Sequence, residues 1–231
     1  MTMYFTRSPL APSLFLLLFP LWVQAQENLT VFFEPQTSFN YKVVGNYHHN
    51  FAFSNRSYLF QNEEFEFKAR QLDIAHFSSL KVSGNQSIGF GVQYRFREVF
   101  DNDESNEIRL TQQYNITHKY GNIRFGDRFR AEQRFTQSAT VHRFRYRLAL
   151  DFPLQGVQLD IGEPYFIVST ESLLSVARGS KPEYDQRVTA HLGWLLSPKT
   201  KLQLGSEYRF ENYTQNTENV LFFLTGLVLS L

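Results

Sequence analysis

The protein has 231 residues, with 23 Lys and Arg, 22 Asp and Glu, and no cysteine. The formal net charge is +1, whereas nucleic-acid-binding proteins have an excess of basic residues. We therefore predict no nucleic-acid partner. The absence of cysteine excludes disulfide cross-links, thiolate metal sites and a lipid anchor on an N-terminal cysteine.

The first 25 residues have the pattern of a secretory signal peptide. Arg7 precedes an apolar run from Leu10 to Val23, and the small side chain of Ala25 follows shortly after. The run is shorter than the roughly 20 residues that a membrane-spanning helix needs. Residues 1–25 are therefore predicted to be a removed signal peptide, and residues 26–231 the mature chain. Removal of Arg7 balances the basic and acidic residues.

After the leader, apolar and polar residues alternate with a period of two, which predicts β-strands. Residues 29–43 are extended but interrupted by Pro35. A later strand is predicted to begin at Val157 and to be bulged or broken at Pro164. Further strands are predicted around residues 47–53, 65–82, 88–96, 108–116, 188–196, 202–210 and 220–231.

The stretch from Ile123 to Phe152 has the clearest alternation and predicts two further strands. Arginine stands at every other position from Arg143 to Arg147, with large apolar residues between them. An arginine at the bilayer midplane costs ~2–4 kcal/mol on the lipid face of a barrel, so these arginines are predicted to face a lumen. Phe144, Tyr146 and Leu148 are then left to face lipid. A half-buried soluble sheet is the alternative.

The pattern predicts a lumen that contains more arginines than carboxylates. Glu107, Glu132, Glu207 and Glu211 share the interior parity of their strands. A local positive excess would give a weak preference for anions, whereas complete pairing would only brace the barrel. The predicted lumen-lining residues are Arg95, Arg97, Arg109, Arg124, Arg128, Arg130, Glu132, Arg143, Arg145, Arg147, Glu207 and Arg209.

Short turns near positions 45, 84, 121, 155 and 198 alternate with longer polar loops near 62, 103, 138, 179 and 215. This asymmetry is typical of outer-membrane barrels, which have an even number of strands in bacteria. Eleven strands are clear in the sequence. Residues 29–33 are predicted to supply a separate strand, with Pro35 in the loop after it. The prediction is one all-β domain: an antiparallel up-and-down transmembrane barrel of about twelve strands, or ten as a fallback.

The segments HFSSLKVSGNQSIGFGVQYRFRE, NEIRLTQQYN, RFGDRFRAEQRF and HRFRYRLALDFPLQG resemble the bacterial family called domain of unknown function 2490. The resemblance covers nearly all of the mature chain. It implies a Bacteroidetes-like outer-membrane β-barrel, and it implies neither an activity nor catalytic residues.

Three functions remain open from the sequence. The first is a porin-like barrel whose arginine-rich lumen binds or passes small anionic solutes, and the second is a non-conducting barrel braced by salt bridges. The third is a lipid-modifying enzyme, an acyl hydrolase or acyltransferase, for which His142 near Ser138 is a weak candidate. We predict no catalytic residues, no metal and no cofactor. We expect outer-membrane lipid to be a partner and the protein to be a monomer.

Overall fold

A computed structural model describes residues 29–231, so the predicted signal peptide lies outside the described residues. These residues form one closed all-β barrel of eleven strands. Among them, no helix is long and apolar enough to cross a lipid bilayer. The strands are β1 (Leu29–Val44), β2 (Tyr47–Gln61), β3 (Glu64–Ser83), β4 (Gln86–Phe96), β5 (Glu107–Tyr120), β6 (Ile123–Phe135), β7 (Thr140–Pro153), β8 (Pro164–Ala177), β9 (Glu183–Ser197), β10 (Thr200–Glu211) and β11 (Glu218–Ser230).

The barrel closes through a parallel strand pair, and the predicted numbers of twelve and ten strands are wrong. β1 and β11 run in the same direction, with Leu29 opposite Asn219. Pro35 does not end β1, because it stays in register opposite Thr225 of β11. The pairing of β1 with β2 skips Glu34 and Pro35 and then resumes, as expected where proline lacks an N–H donor. Residues 29–44 therefore form one strand, and an odd strand number makes the closing pair parallel.

Antiparallel hairpins form the rest of the barrel, so its connections lie at two rims. The N-terminal rim, where β1 begins, carries residues 62–63, 97–106, 136–139, 178–182 and 212–217. The C-terminal rim, where β11 ends, carries residues 45–46, 84–85, 121–122, 154–163 and 198–199.

The predicted alternation of short and long connections is wrong at two places. Residues 62–63 form a tight turn in which Asn62 and Glu63 have φ of 51° and 65°, as a type I′ hairpin requires. Residues 154–163 form a long irregular connection, where a tight turn and a strand from Val157 are predicted. β8 instead begins at Pro164. The first residue of a strand is a position where proline is tolerated.

The two faces of the strands have opposite chemistry. Large apolar side chains are exposed on the outer face, among them Phe53, Phe90 and Phe223. The buried polar residues are Ser38, Ser57, Gln71, Asp73, Arg95, Glu107, Arg109, Thr111, Glu132, Ser169, Glu171, Ser175, Asp185, Arg187, Thr189 and Arg209. This distribution is the reverse of that in a soluble globular protein, whose buried side chains are mostly apolar.

A small apolar cluster lies inside the barrel at the closing pair. Phe32 of β1 packs against Phe222 of β11, with ring centroids 5.1 Å apart, and Val220 completes the cluster. Because β11 carries apolar residues on both faces, the sequence from Val220 onward loses its polar alternation. The cluster fills the interior nearer the N-terminal rim.

Two interior glycines make room for aromatic rings from neighbouring strands. A Cβ atom on Gly91 would lie 2.2 Å from the Phe77 ring, and one on Gly193 would lie 2.3 Å from the Tyr165 ring. Phe77 and Tyr165 can therefore lie flat over the adjacent strand only because that strand has no side chain there.

Candidate binding site in the barrel interior

β6 and β7 supply a dense set of interior arginines. Arg128 lies directly opposite Arg147, and Arg130 directly opposite Arg145. The Arg145 side chain is 13% exposed, whereas Phe144, its neighbour in sequence, is 54% exposed. The period-two pattern thus places the guanidinium groups inside the barrel and the aromatic rings on its outer surface.

The structure brings most of the predicted lumen-lining residues into one interior. Arg97 follows β4 and binds Glu104 near the N-terminal rim, with a distance of 3.1 Å between Nη1 and the carboxylate. Arg124 pairs with Asp151 near the C-terminal rim, and 58% of its side chain is exposed. The interior residues are Arg95, Arg109, Arg128, Arg130, Glu132, Arg143, Arg145, Arg147, Glu207 and Arg209.

The predicted set omits several charged interior residues. Arg187 alternates with Thr189 and His191 in β9, and this alternation could have identified it. Asp73 stands between the apolar Leu72 and Ile74 of β3, so alternation could have identified it as well. Arg56 lies in a stretch of β2 that is polar on both faces, so alternation gave no signal for it. The omitted residues are Glu34, Arg56, Arg70, Asp73, Arg134, Glu171, Asp185 and Arg187.

A layer of buried ion pairs, which we name the ion-pair belt, crosses the interior nearer the N-terminal rim. Each member is a buried or nearly buried side chain on the inner face of a strand. The ion-pair belt comprises Asp73, Arg95, Glu107, Arg109, Glu132, Arg145, Glu171, Arg187, Glu207 and Arg209.

The belt is held by charge-assisted hydrogen bonds within strands and between neighbouring strands. Arg95 donates to both carboxylate oxygens of Asp73, at 2.7 and 2.6 Å. Glu107 accepts hydrogen bonds from Arg109 and from Arg134, the latter at 3.1 and 2.7 Å. Such forked pairs fix both partners in orientation as well as in charge.

Arg145 joins two carboxylates on opposite sides of β7. Its Nη1 donates to Glu132 at 2.9 Å, and its Nη2 donates to Glu171 at 2.5 Å. Arg130 lies 3.5 Å from the same oxygen of Glu132. The directly opposed pair Arg130 and Arg145 is therefore accompanied by two negative charges.

Arginine also covers the apolar cluster at the closing pair. The Arg209 guanidinium lies 3.8 Å from the centroid of the Phe222 ring, and that of Arg56 lies 4.7 Å from the same centroid. Arg56 donates to Glu34 at 2.6 Å and Arg209 to Glu207 at 2.5 Å. Both cations are thus stabilised by an aromatic face and by a carboxylate.

Exposure of the interior increases from the belt toward the C-terminal rim. Along the inner face of β5, Thr111 is 2% exposed, Gln113 and Asn115 are half-buried, and Thr117 is exposed. On β6 the side chains change from the buried Glu132 to the exposed Arg124. The interior therefore contains a cavity whose inner end is the ion-pair belt.

This cavity has a volume of about 570 Å³ and contains a second arginine pair. Arg128 and Arg147 oppose each other directly, and no carboxylate of the described residues lies within 4.0 Å of either one. Among the residues that the structure describes, the Arg128 side chain donates only to the neutral amide oxygen of Asn115, at 3.0 Å. Arg147 Nε is buried without a hydrogen-bond partner among the described residues. Like charges directly opposed across strands are unfavourable unless a counter-charge is present.

The serine and histidine predicted as a weak enzyme candidate do not form a pair. His142 lies on the exposed outer face of β7, and in the described chain no hydrogen bond joins it to Ser138. On the outer face of β2 and β3, Ser78 Oγ lies 3.2 Å from His49 Nδ1 and accepts a hydrogen bond from Tyr47 at 3.1 Å. His76 Nε2 lies 2.8 Å from the same His49 nitrogen.

In the part of the chain that the structure covers, no three His, Asp or Glu side chains are grouped as metal ligands would be. The charged groups that the described residues place inside the closed β-barrel are therefore arginines and carboxylates.

Comparison with known proteins assigns the chain to a family. The sequence profile of the family described as "Protein of unknown function (DUF2490)" matches residues 23–220. The chain belongs to this family, and the resemblance seen in its sequence is confirmed. No curated protein sequence matches it.

A solved structure similar to the chain is that of the siderophore receptor PirA from Pseudomonas aeruginosa. The similarity has a TM-score of 0.33 and 15% sequence identity, and it covers 74% of this chain and 34% of the receptor. The chain thus spans about a third of the length of that receptor.

Proposed function

We propose that the protein is a monomeric outer-membrane β-barrel that binds small anionic solutes in its interior cavity without passing them through. Residues 1–25 direct export as a cleaved signal peptide. The apolar outer face and charged inner face support the membrane location, because burial of this outer face requires a nonaqueous surrounding. Outer-membrane lipid is the partner of the outer wall.

The observation that carries the anion site is the contrast between two arginine pairs on the same two strands. Arg130 and Arg145 have Glu132 and Glu171 beside them. Arg128 and Arg147 stand one step nearer the C-terminal rim, and no described carboxylate forms an ion pair with either one. Glu171 lies opposite Arg147 in the strand register but binds Arg145 instead. Arginine stays charged at every physiological pH, so the second pair attracts an anion from solution.

The ion-pair belt supports binding rather than conduction. Its members are buried, and Phe222 beside them is 0% exposed. A solute crossing the barrel would have to break charge-assisted hydrogen bonds of the belt, which cost several kcal/mol when a buried partner is removed. The alternative that the barrel passes anionic solutes therefore has less support than binding. Bracing of the barrel by salt bridges is the role of the ion-pair belt.

The experiment measures binding of inorganic phosphate to purified protein in neutral detergent by titration calorimetry at low salt. The double variant Arg128→Gln/Arg147→Gln is expected to weaken binding at least about tenfold, since two charged hydrogen-bond donors are lost. Lys119→Gln/Arg124→Gln is the matched control, because these two residues are also directly opposed. Their replacement lowers the charge of the protein by the same amount, but at the C-terminal rim.

Four outcomes are decisive. Phosphate binding that depends on Arg128 and Arg147 supports the proposal. No binding by the folded wild type leaves a barrel braced by salt bridges, and steady conductance in a planar bilayer means that solutes pass through. Equal loss in both double variants would show nonspecific attraction.

Hydrolysis of a lipid ester is a second candidate, and the Ser78–His49 contact on the outer face is the observation that favours it. In this reaction Ser78 Oγ would bond to the acyl carbon, His49 would pass the hydroxyl proton to the leaving alcohol, and water would release the acid. Release of fatty acid from phospholipid micelles, abolished by Ser78→Ala, is the expected result. Equal release by wild type and variant would eliminate this candidate.

A further inference from the structure

We infer that the cavity takes a hydroxylated anion, namely a monosaccharide carrying one phosphate or carboxylate group. This inference rests on the proposed anion-binding function and adds the chemistry of the rest of the ligand. The anionic group binds between Arg128 and Arg147, because guanidinium groups recognise both phosphate and carboxylate by paired hydrogen bonds. The remaining walls of the cavity decide what is attached to that group.

The opposite wall is polar but uncharged over much of its area. Gln36, Ser54 and Gln93 come from three different strands and line the cavity. None of the three makes a side-chain hydrogen bond to another described residue, unlike Gln203, which donates to Tyr165 at 2.9 Å. Amides and hydroxyls both donate and accept, so these side chains match sugar hydroxyls, which also do both. A bare inorganic anion would leave them unused.

An aromatic ring lies between the neutral wall and the arginines. Phe77 lines the cavity and occupies the space left by Gly91, so its ring lies against the barrel wall. The Arg130 guanidinium is 5.4 Å from the ring centroid, although β3 and β6 are not neighbours. The face of an aromatic ring carries partial negative charge and attracts this guanidinium, so the ring holds Arg130 across the cavity from its own strand.

The size of the cavity agrees with such a ligand. Its volume of about 570 Å³ falls in the range of pockets that bind small organic molecules, about 300–1,000 Å³. Inorganic phosphate would occupy only part of this space. A monosaccharide phosphate can reach from the arginine pair to the neutral wall.

The test compares glucose 6-phosphate, glucuronate, inorganic phosphate and glucose by titration calorimetry on the full mature protein in detergent. Glucose 6-phosphate or glucuronate is expected to bind at least about tenfold more tightly than both phosphate and glucose, because only they use both walls. Whichever of the two binds more tightly identifies the anionic group.

The variant Gln36→Leu/Gln93→Leu separates this inference from the proposed function. It is expected to lower affinity for the sugar anion about tenfold while affinity for phosphate stays within twofold. A folded barrel is expected to migrate faster on a gel when the sample is not heated. If the variant lacks this property and is therefore unfolded, Gln93→Ala alone takes its place, with about a threefold loss of affinity for the sugar anion expected.

Equal affinity for phosphate and both sugar anions would overturn the inference and leave the anion site standing. Absence of binding by all four compounds would overturn both. Binding of glucose as tightly as its phosphate would show a sugar site that does not use the arginine pair, and this would contradict both as well.

Discussion

Glu132 illustrates at the level of one residue how the belt depends on its carboxylates. One of its oxygens contacts both Arg145, at 2.9 Å, and Arg130, at 3.5 Å. Glu132→Gln should therefore destabilise the barrel by about 3–5 kcal/mol, since it leaves buried guanidinium groups with less counter-charge. The measurement heats samples to increasing temperatures before electrophoresis. It records the temperature at which the faster-migrating folded form disappears from the gel.

Glu211→Gln is the control for this prediction, because Glu211 is also near arginines but its side chain is 33% exposed. A much smaller shift is expected there, as solvent screens exposed pairs. Equal shifts for both variants would mean that burial of the belt does not determine its contribution.

Gly91 provides a second residue-level prediction. A valine there would force the Phe77 ring to move and should cost about 1–3 kcal/mol by overpacking. Gly126 lies on the inner face of β6 with nothing within 4 Å of a Cβ, so Gly126→Val is the matched control. Thermal unfolding in detergent compares the two variants. Partial recovery of Gly91→Val by Phe77→Ala would identify the ring as the cause.

At the level of the strand, β5 distinguishes the belt from the cavity. Thr111 and Thr117 share its inner face, but Thr111 is buried at the belt and Thr117 is exposed near the C-terminal rim. A cysteine introduced at Thr117 should react with a membrane-impermeant thiol reagent, and one at Thr111 should not. The chain has no natural cysteine to interfere.

β7 gives the complementary test of the outer face. A cysteine replacing Tyr146, which projects outward, should be protected in reconstituted membranes and become reactive when the protein is unfolded. Rapid labelling at Tyr146 in the membrane would mean that this face contacts water, and a soluble β-sheet protein would replace the membrane proposal.

At the level of the whole molecule, the parallel closing pair is testable by a disulfide. Ser38 of β1 lies opposite Val228 of β11, whereas Leu224 is four residues away from Val228, about 13 Å along the strand. Ser38→Cys/Val228→Cys should cross-link on oxidation, and Ser38→Cys/Leu224→Cys should not. The reverse result would contradict this closure, which unites the first and last strands of an eleven-stranded barrel.

The cellular location is a prediction at the same scale. The mature protein should sediment with outer membranes, resist carbonate washing and migrate faster on gels when it is not heated. These properties follow if the apolar outer wall is embedded in lipid. Recovery in the soluble periplasmic fraction would contradict the membrane proposal.

Local sequence determined the strands and their faces. The alternation from Arg143 to Arg147 could be read without neighbours, because successive side chains of a strand point to opposite faces whatever the strand pairs with. The same rule failed at Val157, where the short alternating segment lies in an irregular connection. Hairpin partners followed from chain order, since adjacent strands joined by short turns pair with each other.

The closure of the barrel and the division of its interior depended on contacts distant in sequence. Nothing near Pro35 specifies that β1 pairs with β11, since Pro35 and Thr225 are brought together only when the sheet curves into a barrel. Likewise, Arg145 and Arg147 are alike in sequence, yet Arg145 binds Glu132 and Glu171 whereas Arg147 contacts no described carboxylate. Sequence determined that these arginines face inward because side-chain direction is local. Only tertiary structure decided which of them are neutralised, because strand register sets the distances between charges.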